Sequence, residues 1–449
     1  MGKQLFGTDG IRGVAGKSPL DAQTVFAFGL ALGKDLQRSG QANRHGAEVM
    51  IGMDTRESGP WIAAQVASGL AAEGVQTRFA GVITTPGVAY LTRTRPFAAG
   101  VMISASHNPF QDNGLKVFAA GGFKLPDHEE DLIEKEIFRL LPGLEPPAPR
   151  DLVVDPGLDQ QYCKFLLSSL STPLGGMRLV LDCGHGAASH LAPELFRKAG
   201  AEVVAICNRP DGRNINRDCG ALHLETLREA VLRERADAGA AFDGDADRAI
   251  LISGSGKTID GDAVLLIAAR SLKASGHLKG DVVVSTVMAN LGLEQALERD
   301  GIRMLRTPVG DKYVLEEMER IGAVLGGEQS GHVIFREFST TGDGMLTALR
   351  VLEIARRADS DLDRLTRNLE IFPQKLVNVP VRYRKALEEL PSVAREIGYC
   401  QETLNGSGRV LVRFSGTEPL ARVMVESRDQ QQVDEFTERI AAAIRSELG

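Results

Sequence analysis

Three stretches of the chain repeat one pattern of apolar and polar positions. Each begins with a short, nearly continuous apolar run and a polar or glycine-containing loop. A stretch with apolar residues at helical spacing follows, then a glycine and a second apolar run. The stretches are Glu48–Val75, Arg178–Ile206 and Asp281–Leu305. Short unbroken apolar runs read as buried strands, and a 3.6-residue apolar period reads as an amphipathic helix. Gly74, Gly200 and Gly301 stand where each helix must stop, a place that favours left-handed backbone. Strand, helix and strand of this length form a βαβ unit. Three such units predict three α/β domains of related design, not one large sheet.

Breaker residues set the boundaries. Leu141 to Gly157 carries five prolines (Pro142, Pro146, Pro147, Pro149 and Pro156) and reads as a linker. Gly254-Ser255-Gly256 closes a second segment, and a softer break falls near Ile371-Phe372-Pro373. Beyond it, strands at Arg409–Phe414 and Arg422–Glu426 precede an amphipathic helix from about Gln431 to Leu448, the order of a small α+β domain. The expected domains are 1–150, 151–254, 255–370 and 371–449. A chain of 449 residues is too long for one core, in keeping with this division.

The densest chemistry is Asp243-Gly244-Asp245-Ala246-Asp247-Arg248, between the apolar runs Ala238–Phe242 and Ala249–Ser253. In extended or turning backbone, alternate side chains can close on one ion; on a helix the middle one would splay away. Three hard oxygen ligands suit Mg²⁺, which keeps other positions for water or phosphate. A calcium EF-hand is excluded, because Arg248 stands where that loop needs glycine and Gly254 where it needs glutamate.

Four further runs carry candidate chemistry. Ser104-Ala105-Ser106-His107-Asn108-Pro109 follows an apolar strand, where α/β sheets place ligands, with Gly114 and Lys116 a few residues on. Taken alone it is a turn or a nucleophile; a phosphorylated serine there adds the charge that a three-aspartate metal site lacks. Phe6-Gly7-Thr8-Asp9-Gly10-Ile11-Arg12-Gly13 is either a plain turn or, through Arg12, a phosphate grip. Gly327-Glu328-Gln329-Ser330-Gly331-His332 sets Glu328, Ser330 and His332 on alternate positions suited to sugar hydroxyls, and the nearby loop contains Gly310, Asp311 and Lys312. Arg413-Phe414-Ser415-Gly416-Thr417-Glu418-Pro419, with Arg422, makes a phosphate cradle without a catalytic base.

Composition narrows the partners. With 43% hydrophobic and 25% charged residues the chain reads as soluble and globular. Its net charge of −7 gives no general field for nucleic acid, so an anionic substrate must be held by Arg and Lys gathered locally. No apolar stretch approaches the ~20 residues that span a bilayer, and MGKQLFGTDG has no signal-peptide core; cytoplasm is the expected compartment, with no membrane partner. The cysteines (Cys163, Cys183, Cys207, Cys219 and Cys400) are odd in number and lack CxxC spacing. They read as inert buried thiols, not disulfides, zinc ligands or nucleophiles. Gly254-Ser255-Gly256-Lys257-Thr258 fails the P-loop pattern at Leu251, and Gly184-His185-Gly186 is only a partial dinucleotide fingerprint, better read as a tight turn.

Together and in this order, the runs Phe6–Gly13, Ser104–Pro109, Asp243–Arg248, Gly327–His332 and Arg413–Pro419 resemble the motifs of the α-D-phosphohexomutase superfamily over essentially the whole chain. The opening run and Gln329 look like its glucosamine branch, since mannose and glucose enzymes usually carry methionine at the latter place. Phe414 departs from the usual proline of the last motif. The resemblance implies four domains around a central cleft: three related α/β domains with mixed sheets and a C-terminal α+β domain of TATA-binding-protein-like fold. It implies a phosphoserine at Ser106 and Mg²⁺ held by Asp243, Asp245, Asp247 and that phosphate, with Arg12, Arg248 and Lys116 beside it and Lys116 or His332 as acid and base. Glu328, Ser330, Gly310, Asp311 and His107 would meet the sugar, and Arg413, Ser415, Gly416, Thr417 and Arg422 the distal phosphate.

The implied reaction interconverts glucosamine 6-phosphate and glucosamine 1-phosphate through a 1,6-bisphosphate that also serves as activator. Its product feeds UDP-N-acetylglucosamine and cell-wall precursors, and the enzyme is a monomer or homodimer. The alternatives are a phosphomannomutase/phosphoglucomutase of the same superfamily, or an Mg²⁺-dependent sugar phosphatase.

Overall fold

In the computed structural model, which describes residues 4–7, 9–40, 48–415 and 419–449, the three repeated stretches build three sheets on one plan. The first contains β1 (Phe6–Gly7), β2 (Gly10–Val14), α1 (Ala22–Arg38), β3 (Glu48–Met53), α2 (Gly59–Ala72), β4 (Gln76–Val82), α3 (Thr85–Thr94), β5 (Ala99–Ile103), β6 (Asp112–Ala119) and α4 (Asp127–Leu140). Its strand order is β1-β2-β6-β5-β3-β4; β3 runs parallel to β4 and β5, and β6 is antiparallel to β5. Asp21 starts α1 by accepting the Thr24 N–H, and Thr84 starts α3 by accepting that of Gly87. Val49, Ile51, Val101 and Ile103, buried on the sheet, form the core with Phe28, Leu32, Ile62 and Val66 of α1 and α2. The proline-rich linker follows the first sheet: Asp155 N–H donates to the Phe79 carbonyl and Gln65 to that of Pro147.

The second sheet contains α5 (Gly157–Ser168), β7 (Arg178–Asp182), α6 (Ala188–Lys198), β8 (Glu202–Ile206), α7 (Glu225–Glu234), β9 (Ala238–Phe242), β10 (Ala249–Ser253) and β11 (Thr258–Ile259), in the order β11-β10-β9-β7-β8. The third contains α8 (Gly261–Ala274), β12 (Val282–Thr286), α9 (Leu291–Arg299), β13 (Arg303–Thr307), α10 (Asp311–Ile321), β14 (Leu325–Gly327), β15 (Val333–Phe335), α11 (Gly344–Arg357) and α12 (Leu362–Leu365), in the order β13-β12-β14-β15. The strings β4-β3-β5-β6, β8-β7-β9-β10 and β13-β12-β14-β15 are the same four-strand kernel. In each, the third strand is parallel to the first and joined to the fourth by an antiparallel hairpin. Gly254–Lys257 is the β10–β11 hairpin turn and no P-loop; Ser253 N–H bonds the Lys257 carbonyl.

The C-terminal region has β16 (Gln374–Pro380), α13 (Pro391–Leu404), β17 (Gly408–Phe414), β18 (Leu420–Ser427) and α14 (Gln430–Leu448), with an antiparallel sheet in the order β16-β18-β17. Contacts divide the chain into two units: Met1–Val287 with Leu305–Arg367, and Met288–Met304 with Asn368–Gly449. The helix α9 of the third repeat thus groups with the C-terminal sheet. Leu291 N–H donates to buried Glu426 at 2.9 Å, and the Asn290 amide exchanges two hydrogen bonds with the Phe372 backbone, both at 3.0 Å. No helix among the described residues is long and apolar enough to cross a membrane.

Candidate active site

The hairpin between the third and fourth kernel strands carries the candidate chemistry in all three sheets. It is 104–111 in the first, 243–248 in the second and 328–332 in the third. Each leaves the carboxyl end of a strand that is parallel to its neighbour, the edge where α/β sheets bind ligands.

Ser106 sits in the first hairpin with left-handed backbone, φ 51°, a conformation that costs a non-glycine residue of order 1–3 kcal/mol. The surroundings impose it. Ser104 Oγ accepts the Ser106 N–H at 2.9 Å and donates to Asp54 Oδ2 at 2.6 Å. Arg56, fully buried and paired with Asp54 at 2.8 Å, donates to the carbonyls of Ser106 (2.9 Å), Asn108 (2.8 Å), Asp112 (3.0 Å) and Pro109. One guanidinium therefore fixes the whole turn, using the fork of donors that lysine lacks. Burial pushes the Asp54 carboxyl up, against the pull of Arg56. Asn216, from the second sheet's loop, adds a 2.9 Å bond to the Ser106 carbonyl.

Ser106 Oγ donates to Asp243 Oδ2 at 2.6 Å, so the first and second hairpins meet at the predicted pair. Carboxylate oxygens of Asp243, Asp245 and Asp247 lie within 4.8 Å of one another, all three residues buried. Burial together with Asp247 and Asp245 drives the Asp243 carboxyl well above the usual range. Burial also opposes charge on Asp247, but Lys116 and His332 hold it well below. Buried Asp245 Oδ1 and Asp247 Oδ1 have no hydrogen-bond partner. Crowded carboxylates with orphaned oxygens are the donor set a divalent cation satisfies, so the triad can bind a metal.

Cations and the remaining predicted groups ring the triad. Lys116 on β6 is buried, with Nζ 2.9 Å from Asp245, 3.0 Å from Asp9 and 3.6 Å from Asp247. Burial works against this ammonium, yet those three carboxylates hold its pKa well above the ordinary value. Arg12 reaches Asp9 at 2.6 Å, and Arg248 lies 3.8 Å from Asp247. His107 Nδ1 is 3.4 Å from Ser106 Oγ; burial, with Arg248 and Arg12 nearby, lowers its pKa to about 4, so the ring is neutral at pH 7. His332 lies 3.6 Å from Asp247 through Nδ1 and 3.6 Å from Asp311 through Nε2. Burial disfavours its imidazolium, but Asp247 and Asp311 raise its proton affinity above the ordinary value. The Gly342 N–H aimed at Nε2 at 2.9 Å opposes them, since an imidazolium has no lone pair there. Glu328 accepts the Gly310 N–H at 3.1 Å and stands 3.4 Å from Ser330 Oγ.

The C-terminal unit holds the rest of the expected set. Arg413 and Arg422 are register partners across β17 and β18, and Ser415 N–H donates to the Leu420 carbonyl at 2.8 Å. Burial and the neighbouring Arg422 lower the Arg413 pKa. Gly416 and Thr417 lie outside the described residues, as does Thr8 of the opening motif.

Sequence reasoning missed Asp54, Arg56, Thr85, Lys124 and Asn216, and did not give Asp9 a role. Thr85 Oγ1 donates to Asp245 at 2.5 Å, and Lys124 bridges Asp9 and Asp311. Asp54-Thr55-Arg56 did carry a signal, a charged pair at the carboxyl end of a predicted strand. Lys124 and Thr85 carried none, being ordinary residues brought in from separate elements.

Models of four phosphoglucomutase/phosphomannomutase domains match the chain in order: alpha/beta/alpha domain I at residues 3–142, domain II at 160–256, domain III at 260–371 and the C-terminal domain at 376–443. Phosphoglucosamine mutase of Solibacter usitatus is 64% identical over 451 residues, covering 100% of both chains. That of Symbiobacterium thermophilum is 47% identical, covering 99% of each. Among solved structures, a phosphoglucomutase/phosphomannomutase family protein of Burkholderia thailandensis superposes with a TM-score of 0.80 at 24% identity, covering 98% of this chain and 97% of that one. An Aspergillus fumigatus N-acetylphosphoglucosamine mutase, solved with GlcNAc-6P and magnesium, gives 0.65 at 17%, covering 99% and 96%.

Proposed function

The chain belongs to the phosphoglucomutase/phosphomannomutase family, and from that premise we propose that it interconverts glucosamine 6-phosphate and glucosamine 1-phosphate through a phosphorylated Ser106. The observation that carries this reading is the 2.6 Å approach of Ser106 Oγ to a buried aspartate trio, in a chain 64% identical to a phosphoglucosamine mutase along its whole length. The phosphoryl group on Ser106 passes to the O1 hydroxyl of glucosamine 6-phosphate, giving the 1,6-bisphosphate and free serine. The bisphosphate turns end for end, the O6 phosphoryl group returns to Ser106, and glucosamine 1-phosphate leaves.

Asp243, Asp245, Asp247 and the serine phosphate would hold Mg²⁺. Bound there, it neutralises charge on the transferring phosphoryl group. Lys116 holds its proton between Asp245 and Asp9 and serves first as a charge clamp and acid. Arg12 and Arg248 bring further positive charge to the equatorial oxygens. Asp247 and Asp311 orient His332, which handles the substrate hydroxyl proton together with Lys116. Glu328 and Ser330 accept and donate to sugar hydroxyls, with Gly310, Asp311 and His107 around them. In the C-terminal unit, paired Arg413 and Arg422 with Ser415, Gly416 and Thr417 hold the phosphate that is not reacting; their mutual repulsion favours an anion between them.

The sugar preference is tested by offering glucosamine, mannose and glucose 6-phosphates in turn, with Mg²⁺ and a hexose 1,6-bisphosphate. Glucosamine 6-phosphate should turn over fastest, with little inorganic phosphate released. Faster mannose or glucose turnover would assign the other branch, and steady phosphate release would assign a phosphatase.

A further inference from the structure

A second cluster of ligating side chains lies in the second sheet, apart from the aspartate trio. One imidazole nitrogen of His185 and the sulfurs of Cys207 and Cys219 fall within 4.8 Å of one another. From these positions we infer a zinc-type metal site with two thiolate ligands and one imidazole, its fourth position open to water. Tetrahedral Cys₂His with one open position is an established zinc geometry, and soft thiolates select zinc over Mg²⁺.

The ligands come from three loops at one edge of the sheet: His185 after β7, Cys207 after β8, and Cys219 just before Gly220. Their separation in sequence explains why the absence of CxxC spacing hid them. The backbone is bent to bring them together. His185 and Cys207 both have left-handed φ, 51° and 47°, a conformation uncommon for a side chain such as that of Cys207. His185 N–H donates to the Cys207 carbonyl at 2.6 Å, locking the first two loops. Cys219 is buried while Cys207 and His185 are partly exposed, so an ion has a path in and a protected side. Buried Asp182, which accepts the Gly184 and Gly220 N–H groups at 2.9 and 3.0 Å, places an anion beside the cluster. All five cysteines are free thiols. The Cys207 and Cys219 thiols hydrogen-bond each other, Cys207 also bonds Asp182, and His185 Nδ1 accepts the Arg209 N–H at 3.2 Å, so the three side chains already converge on one point.

The site closes the 207–219 loop onto the β7 turn. That loop supplies Asn216, whose side chain bonds the Ser106 carbonyl and whose N–H bonds the Gly184 carbonyl at 2.8 Å. The His185 carbonyl in turn accepts Thr55 Oγ1 at 2.6 Å, next to Arg56. A bound ion therefore staples the second sheet's loops behind the Ser106 turn.

The test is Co²⁺ titration of the full-length, fully reduced protein, with Mg²⁺ in excess to occupy the aspartates. One equivalent should bind with a sulfur-to-cobalt charge-transfer band in the near ultraviolet and intense tetrahedral visible bands, and Zn²⁺ should bleach both. Cys207→Ser and, separately, His185→Asn should lose that spectrum. Asparagine tolerates left-handed backbone, and circular dichroism of each variant checks its fold. Zinc measured by mass spectrometry in protein purified without chelator should fall from about one per chain to none in Cys207→Ser. A cobalt spectrum without sulfur charge transfer, one unchanged in Cys207→Ser, or no uptake by the reduced wild type overturns the inference.

Discussion

Ser106 is held by its carbonyl as firmly as by its hydroxyl. Arg56 and Asn216 both donate to that carbonyl, while Oγ faces Asp243. Gly244 lets the aspartate hairpin come this close, since a Cβ there would stand 2.5 Å from the same oxygen. Gly244→Ala must push the serine turn away from the trio, and kcat should drop on the order of a hundredfold, as expected for misplacement near 1 Å. Circular dichroism should stay native while KM changes little; unaltered kcat would contradict the packing described. The proposed Mg²⁺ would act at the same scale. Given the trio's self-repulsion and orphaned oxygens, the proposed metal site would give the folded chain a cation that the unfolded chain does not hold. At a hundredfold excess over Kd this adds about 2.7 kcal/mol. Thermal unfolding should shift upward with Mg²⁺ and return with EDTA, which also stops turnover; Asp243→Asn should abolish most of the shift. A midpoint indifferent to Mg²⁺ would count against the metal assignment.

At the scale of elements, one kernel used three times presents three equivalent hairpins, each carrying a different candidate motif. The motifs were legible in the sequence because each hairpin is contiguous: Asp243–Arg248 lies between strands that begin and end where the apolar runs do. Thr85 and Lys124 were not, because their roles depend on partners 160 and 187 residues away, and the signal at Asp54-Thr55-Arg56 did not show that Arg56 reaches the Ser106 turn 50 residues on. Strand β16 was missed for another reason. Only Val379 in it is buried, so it lacks the alternation that marks a half-buried strand. Helix α13 starts at Pro391 with no side-chain cap, so the proline is its only start signal.

Helix α11 does have a cap, and it titrates. Asp343 accepts the Leu346 N–H and the Tyr162 hydroxyl (2.7 Å), and burial pushes its pKa up to about 6. Its unfolded value is about 3.9, so the folded state holds the proton more tightly. The stability this adds is complete below about pH 4 and lost as pH rises through about 6, on the order of 2–3 kcal/mol. Asp343→Asn, which stays neutral, should therefore gain unfolding midpoint relative to wild type between pH 4 and 7. A gap that does not change with pH would refute the shift.

At the scale of the whole molecule, the division does not follow the repeats. Helix α9 belongs to the third repeat by sequence, yet it buries Leu293 and Leu297 and takes its end contacts from Phe372 and Glu426. Periodicity identified the helix but carried no information about its partner. A chain ended after Arg367 should thus be worse than a clean domain deletion, leaving α9 without its C-terminal contacts. It should scatter light on warming and unfold several degrees earlier than the full chain; an equally stable, soluble truncation would contradict the grouping. The account as a whole rests on Ser106 carrying the phosphoryl group that the sugar receives. The most direct measurement is intact mass and mutase turnover of wild type and Ser106→Ala side by side, after exposure to a hexose 1,6-bisphosphate. The account predicts one phosphoryl group on the wild type, none on the variant, and turnover in the variant lost. A variant that still carries the phosphate, or still converts glucosamine 6-phosphate at the wild-type rate, would contradict it.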